Sequence, residues 1–233
     1  MHYLDYLNWE YYENILYEEF PYYKLLEPKR KREFIIRLID VKNNMVFEGQ
    51  HGFSLNDHNL CLLCASMVQL TFGYADYRFY HFKKIIIVPD IFHSKYIGAD
   101  VKGLTYAGGY IYLAWNYFYD GYKEYKNKIN LGLHEFAHAL MIQKVGLLNE
   151  EQLKRFKGMF RWMKKEREQK KAELPLFRDY ALSNLEEFWA VSVEIFFEQP
   201  LEFRHEYPNL YRLMVDALKQ DAAQNLRRYL DSK

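Results

Sequence analysis

Residues 127–144 read NKINLGLHEFAHALMIQK, and the pattern His134-Glu135-x-x-His138 inside that stretch decides how the rest of the chain is read. On an α-helix, four residues advance the chain by slightly more than one turn. His134 and His138 therefore project from one face and can grip one metal ion. Glu135 lies about a quarter turn away, close enough to take a proton from a water without being a ligand itself, as a general base must. Leu133, Phe136, Ala137 and Leu140 occupy the opposite side, which reads as a core face and turns the polar trio toward a cleft. The bland alternative is a pair of surface histidines on an amphipathic helix. The apolar company argues against it, because imidazoles and a carboxylate are costly to bury unless a metal or hydrogen bonds compensate them.

Two histidines do not complete a catalytic zinc site, which takes three protein ligands and leaves one open position. The extended pattern that supplies a third His at once fails here, with Met141 where Gly is required and Lys144 where the His is required. The third ligand must come from another segment. Residues 183–198, SNLEEFWAVSVEIFFE, form a second apolar helix on which Glu187, Glu194 and Glu198 share a face while Glu186 points away. Spacing alone leaves those three open.

The segments HEFAH, RDYALSNLEEFWAVSVEIFF and EYPNLYRLMVDALKQD, taken in order, resemble the MtfA-type, or glucose-regulated, zinc metallopeptidases, a family whose catalytic core is similar to that of anthrax lethal factor. The family's downstream motif runs approximately N-P-A-E-x-F-A-V-x-S-E-x-F-F, and its first Glu is the third zinc ligand. On this chain the Asn is Asn184, the ligand is Glu187 and the second Glu is Glu194. A Tyr seven residues before the ligand, which steadies the oxyanion in the family, falls on Tyr180. The likeness covers most of residues 10–230, including FKKIIIVPDIF and a strand AGGYIYLAWNYF before the zinc helix. Leu185 stands where the family has Pro, a change confined to a helix start. The basic insert between the zinc helix and Glu187 also differs, and is expected to border the cleft.

The resemblance implies an α+β, zincin-like metallopeptidase of the gluzincin type, with a small mixed sheet, the H-E-x-x-H helix, a second helix carrying Glu187, and further N- and C-terminal helices. One zinc per chain is implied, held by His134, His138 and Glu187, with Glu135 as base and Tyr180 at the oxyanion. A ligand histidine, His134 or His138, also needs an acceptor for its second ring nitrogen, for which Glu194 is a candidate, the plain alternative being a solvent-facing acid on a helix. The substrate is a peptide or protein. In zinc peptidases of this build an edge strand beside the zinc helix takes substrate as an added antiparallel strand, a role assigned to residues 103–110. An ordinary hairpin edge is the plain alternative. A zinc-stabilised regulatory binding protein with a protein partner and little or latent turnover is the rival function.

With 233 residues the chain suits a single domain, read as a mainly helical part over 1–80, a catalytic core over 81–199 and C-terminal helices over 200–233. A formal net charge of +1 leaves no nucleic-acid footprint. The runs at 29–32 and 164–171 read as solvated faces. No stretch reads as a membrane helix or a signal peptide, so a cytoplasmic protein is expected.

Residues 9–47 read as helices interrupted near Pro21 and Pro28, with FIIRLIDVKNNMVF helical. Residues 56–73 form a helix capped by Asn56 or Asp57. It holds Cys61 and Cys64, which read as core packing rather than a redox pair. KKIIIVP over 83–89 is the clearest strand, buried on both faces. TYAGGYIYLAW over 105–115 offers a strand after the Gly-Gly pair. Residues 150–172 form a charged helix with an apolar stripe of Leu153, Phe156, Phe160 and Met163, and the last 30 residues read as short helices.

Overall fold

The computed structural model describes residues 9–124, 127–143, 147–170 and 174–233. The first eight residues, Lys144 and the end of the charged stretch at 171–172 lie outside the described residues.

The chain opens with three helices, α1 (Trp9–Glu19), α2 (Pro21–Lys24) and α3 (Pro28–Asn44). Pro21 and Pro28 start helices rather than merely interrupting them: each sits in the first turn, where its missing N–H costs nothing. The helical reading of FIIRLIDVKNNMVF fails at its end. α3 stops at Asn44, and Val46–Gly49 is strand β1. Phe47 and its neighbours keep an apolar pattern that suits either state over so short a run, and pairing with β2 decides it.

Helix α4 (Asp57–Thr71) is capped by Asn56, whose side chain accepts from Asn59 N–H while the Asn59 side chain accepts from Asn56 N–H. Cys61 and Cys64 are buried free thiols within it. β2 (Lys84–Val88) lies between β1 and β6 (Tyr110–Ala114), parallel to both, and β5 (Gly103–Tyr106) closes the sheet antiparallel to β6. The order β1-β2-β6-β5 makes a small mixed sheet with β2 at its buried centre. Ile85, Ile86, Ile87 and Val88 are all buried, and each fully buried side chain of that kind contributes about 1.5–3 kcal/mol.

The stretch before the H-E-x-x-H helix holds more than one strand. Ala107, Gly108 and Gly109 turn β5 into β6, with Gly109 at φ +98°, a left-handed value that Gly adopts without steric cost. The strand ends at Ala114, and Trp115 begins helix α5 (Trp115–Lys123), so WNYF is helical rather than extended. Residues 103–110 therefore do not form one edge strand. Gly103–Tyr106 is the edge, while Tyr110 already belongs to the inner strand β6. A second hairpin, β3 (Phe92–Ser94) with β4 (Ala99–Val101), was not anticipated. Its short, polar strands carry little periodicity. It covers the outer face of the main sheet, with Phe92 against Tyr112 and Tyr96 against Tyr106.

The opposite face of the sheet, carrying Ile85, Ile87, Ile111 and Leu113, turns toward the helices. There α6 (Leu131–Gln143) runs beside β5 and β6 and packs against α4 and α8 (Leu185–Glu198). Leu133, Phe136, Ala137 and Leu140 are its core face, as read from sequence. Trp189, fully buried, ties α8 to α6 by donating from Nε1 to the Ala137 carbonyl at 2.9 Å. Helix α7 (Glu150–Lys170) buries Phe156 and Met163 against α8, while α9 (Pro200–Glu206), α10 (Pro208–Leu218) and α11 (Ala222–Asp231) complete the chain. Among the described residues no helix is long and apolar enough to cross a membrane.

Candidate metal centre

Helix α6 starts later than residue 127. The preceding loop is held in place, and that loop sets where the histidines point. Asn130 caps the helix, its side chain accepting from Leu133 N–H at 3.0 Å while its amide donates to the Gly121 carbonyl. Lys128 adopts φ +67°, which costs a non-glycine residue about 1 kcal/mol. Four bonds offset that cost. Lys128 N–H donates to Glu198 at 2.7 Å, Asn130 N–H donates to Glu194 at 2.7 Å, Arg178 donates to the Lys128 carbonyl at 2.6 Å, and the Lys128 ammonium reaches the Pro175 carbonyl at 2.9 Å.

From this cap His134 and His138 emerge on one face, with their Nε2 atoms 3.2 Å apart. Helix α8 delivers Glu187 to the same point. Asn184 accepts from Glu187 N–H at 2.8 Å and so places Glu187 in the first helical turn, where a carboxylate is favoured by the helix dipole. Its oxygens lie 3.1 Å from His134 Nε2 and 3.4 Å from His138 Nε2. Among the described residues this trio is the one cluster of three His, Cys, Asp or Glu side chains able to share an ion, with ligand atoms all within 4.8 Å of one another.

The three acidic residues that spacing left open on α8 have separate places. Glu187 meets the imidazoles. Glu194, 1% exposed, accepts from His134 Nδ1 at 2.7 Å and pairs with Arg178 at 2.6 Å, so it is not a solvent-facing acid. Glu198 sits one turn deeper against the Lys128 N–H, and its other oxygen is buried without a partner. The Glu194 contact also orients His134: with Nδ1–H donated to Glu194, Nε2 is the nitrogen left to face His138 and Glu187.

Electrostatics follow from this crowding. Burial disfavours a charged His134, but the carboxylates of Glu187 and Glu194 outweigh it and push the imidazole up to about 10. Burial likewise works against ionised Glu187, yet the two imidazoles overcome it and hold the carboxyl well below its ordinary range. Glu135 is raised by burial, with His134, His138 and a hydrogen bond from Thr105 opposing the shift. The Thr105 hydroxyl lies 2.8 Å from both a carboxylate oxygen and the backbone carbonyl of Glu135. Gly103 allows this approach, because a Cβ there would fall 2.6 Å from Glu135 Oε1.

Tyr180 lies in a short 3-10 turn, Asp179–Leu182, with its ring 6.3 Å from that of His134 and over half its surface exposed to the cleft. Partial burial and the charges of Glu187 and Glu135 push its phenol up to about 12, so the hydroxyl remains a donor at neutral pH. Glu186 is exposed on the rim of the same cavity. Of the stretch between α6 and Glu187, Arg178, Tyr180 and Glu186 line the cleft, as expected of a bordering insert, whereas no described residue of α7 does; α7 packs on α8, α10 and the 3-10 turn. Arg178 and Asn130 were missed as site residues, although Arg178 stands two residues before Tyr180 and Asn130 four before His134, while Thr105 was read only as part of the 103–110 edge and Glu198 only as one of three candidate ligands.

Glu198 provides a test of the loop clamp. Burial, opposed by the Lys128 N–H and reinforced by Glu194, raises its carboxyl to about 7 from the ordinary 4.5. The folded state then holds the proton more tightly than the unfolded chain, so stability falls as pH rises from about 4.5 to about 7. Glu198→Gln keeps an acceptor for Lys128 but removes this dependence. Its unfolding free energy relative to wild type, read by denaturant titration, is expected to climb across that window, on the scale of about 1.4 kcal/mol per pKa unit. A constant difference would refute the assignment.

A carboxylate of α8 meeting two α6 imidazoles, next to a buried acid and beneath an open strand edge, is the equipment of a metallopeptidase rather than of a closed structural metal site. Comparison with known proteins agrees. The chain belongs to the family described as glucose-regulated metallo-peptidase M90, which it matches over residues 8–219. It is also 24% identical over 223 residues to an uncharacterized protein of Synechocystis sp., an alignment covering 87% of this chain and 81% of that protein.

Proposed function

We propose that this metallopeptidase is a zinc-dependent, gluzincin-type enzyme with a zincin-like fold, in which His134, His138 and Glu187 hold one zinc ion. The observation that carries the reading is the convergence of the Glu187 carboxylate on two imidazole Nε2 atoms, 3.1 Å from that of His134 and 3.4 Å from that of His138, which themselves lie 3.2 Å apart. Two imidazole nitrogens and a carboxylate brought this close need a proton or a cation among them, and a metal ion can take the place of the proton. Two imidazole nitrogens and one carboxylate suit zinc, and leave a position open. Zinc bound there supplies a lowered pKa for water and polarisation of the peptide carbonyl.

The protein's own groups do the rest. Glu135 takes the proton of the attacking water and returns it to the leaving amine, its carboxylate oriented by Thr105. Tyr180 donates to the oxygen on which negative charge develops. Glu194 holds the His134 ring, and Arg178 holds Glu194. The open edge of β5 offers main-chain groups for a substrate strand. Residues 81–199 form the catalytic core in this reading, with the flanking helices as its support. Two free thiols suit a reducing compartment, and the cytoplasm is the proposed location.

The test is digestion of a degenerate peptide library by zinc-loaded protein and by protein stripped with a chelator. Cuts only in the loaded sample are expected. Intact peptides in both, with one zinc bound per chain, would favour the regulatory binding protein instead. Tyr180→Phe is expected to lower kcat by about 10²-fold, the scale of one oxyanion donor, with unchanged zinc content. Loss of zinc in that variant would make Tyr180 structural.

A further inference from the structure

The cleft has two arms on either side of His134 and Glu135. One, a cavity of about 350 Å³, is lined beyond the catalytic residues by Ile97, Val101, Leu104, Met141 and Ile142, with Gly103 and Thr105 along the strand and Glu186 on the rim. The other, about 520 Å³, adds the charged side chains Asp100, Lys102, Asp120 and Arg178 to a lining that also includes Tyr117, Ile129 and Leu131. Two of the apolar side chains of the first arm are not core residues that happen to touch a cavity: Ile97 is 52% and Ile142 39% exposed, while Met141 packs against the core beneath them.

The arms also have a direction. The polar arm joins the start of β5 to the start of α6, through Lys102, Gly103 and Leu131, while the apolar arm joins Leu104 and Thr105 to Met141 and Ile142. β5 and α6 thus advance together from the polar arm to the apolar arm. Ala114 N–H donates to the Lys102 carbonyl at 2.8 Å, and in an antiparallel ladder the paired residues alternate. Leu104 and Tyr106 therefore bond inward to β6, and the main-chain groups of Gly103 and Thr105 face the open edge. A peptide added antiparallel to that edge runs against β5, so its N-terminal part lies in the apolar arm and its C-terminal part in the polar arm.

We propose that the enzyme selects substrates by a bulky apolar side chain on the N-terminal side of the scissile bond, bound between Ile97, Leu104, Met141 and Ile142, with the C-terminal side in the charged arm. This rests on the peptidase reading for the position of the cut, but the apolar subsite can be measured without turnover.

The zinc-loaded wild type is given a degenerate peptide library to cleave, and zinc-loaded Glu135→Gln is used to capture uncut peptides from the same library. Ile142→Glu, at a partly exposed position, is compared with Ile142→Leu in both formats. Apolar residues are expected to be enriched on the N-terminal side of cuts and among captured peptides. Ile142→Glu is expected to reduce that enrichment about tenfold, the effect of losing one apolar side-chain contact, and Ile142→Leu to preserve it.

Cuts without apolar preference, or with the preference on the C-terminal side, would overturn the subsite and leave the peptidase standing. Apolar capture sensitive to Ile142→Glu but no cuts by wild type would overturn the peptidase and leave the subsite standing. Neither cuts nor capture would overturn both.

Discussion

Glu135→Gln is expected to lower peptide hydrolysis by about 10³-fold, within the range for loss of a general base, while zinc content stays at the wild-type level. The substitution is close to isosteric, and a Gln carbonyl still accepts the Thr105 hydroxyl that now reaches Glu135 at 2.8 Å, so the local fold is retained. Glu135 is not among the three converging ligand side chains, which is why metal binding should survive. Stability has a sign of its own. Burial raises the Glu135 carboxyl, so in metal-free protein the ionised form costs folding free energy once pH exceeds the ordinary carboxylate range. Removing that charge should leave the metal-free melting temperature equal to or above wild type at neutral pH. Hydrolysis within a few-fold of wild type, measured on one peptide at matched zinc occupancy, would refute Glu135 as the base.

Glu187→Ala and Glu194→Ala are expected to fail in different ways, and the contrast distinguishes a ligand from the residue that orients one. Loss of Glu187 removes one of three donors, and zinc affinity should fall further than the 10–100-fold typical of losing an outer partner. Glu194→Ala should fall within about that 10–100-fold range, through a freed His134 ring. The order reverses for the fold itself. Glu194 is 1% exposed and accepts from His134, Asn130 N–H and Arg178, so its loss leaves an unpaired cation and two unsatisfied donors, a cost of about 3–5 kcal/mol. Glu187 lies at the cleft, and its loss should lower the metal-free melting temperature less. Chelator competition reads the first order and thermal denaturation of stripped protein the second. Greater loss of zinc in Glu194→Ala would reject Glu187 as the ligand.

Much of the molecule was legible because its signals are local. The core face of α6, the buried Ile run of β2, the Asn56 cap and the Asn184–Glu187 spacing each depend on residues within a few positions of one another. What failed was local in a different way. β1 and the β3–β4 hairpin are three or four residues long, too short for a period to declare itself, and only pairing with other strands makes them extended. The Gly-Gly pair does precede a strand, as read, but the strand that it closes, β5, went unread, and Trp115, whose apolar neighbours continue the strand pattern, begins a helix.

By itself the sequence determined the family, the H-E-x-x-H helix, and a set of three acids on one face of α8, because helical spacing and cap chemistry are properties of a short stretch of chain. It could not rank those acids. Glu187, Glu194 and Glu198 present the same side-chain chemistry at near-helical intervals, and they differ only in what lies opposite: two imidazole nitrogens, one imidazole N–H with Arg178, and a strained backbone N–H at Lys128. Those partners sit 50 to 70 residues away along the chain or arrive from another turn. Their meeting is a consequence of α6 and α8 packing together, which is decided by the buried surface of the whole fold and not by any segment of it.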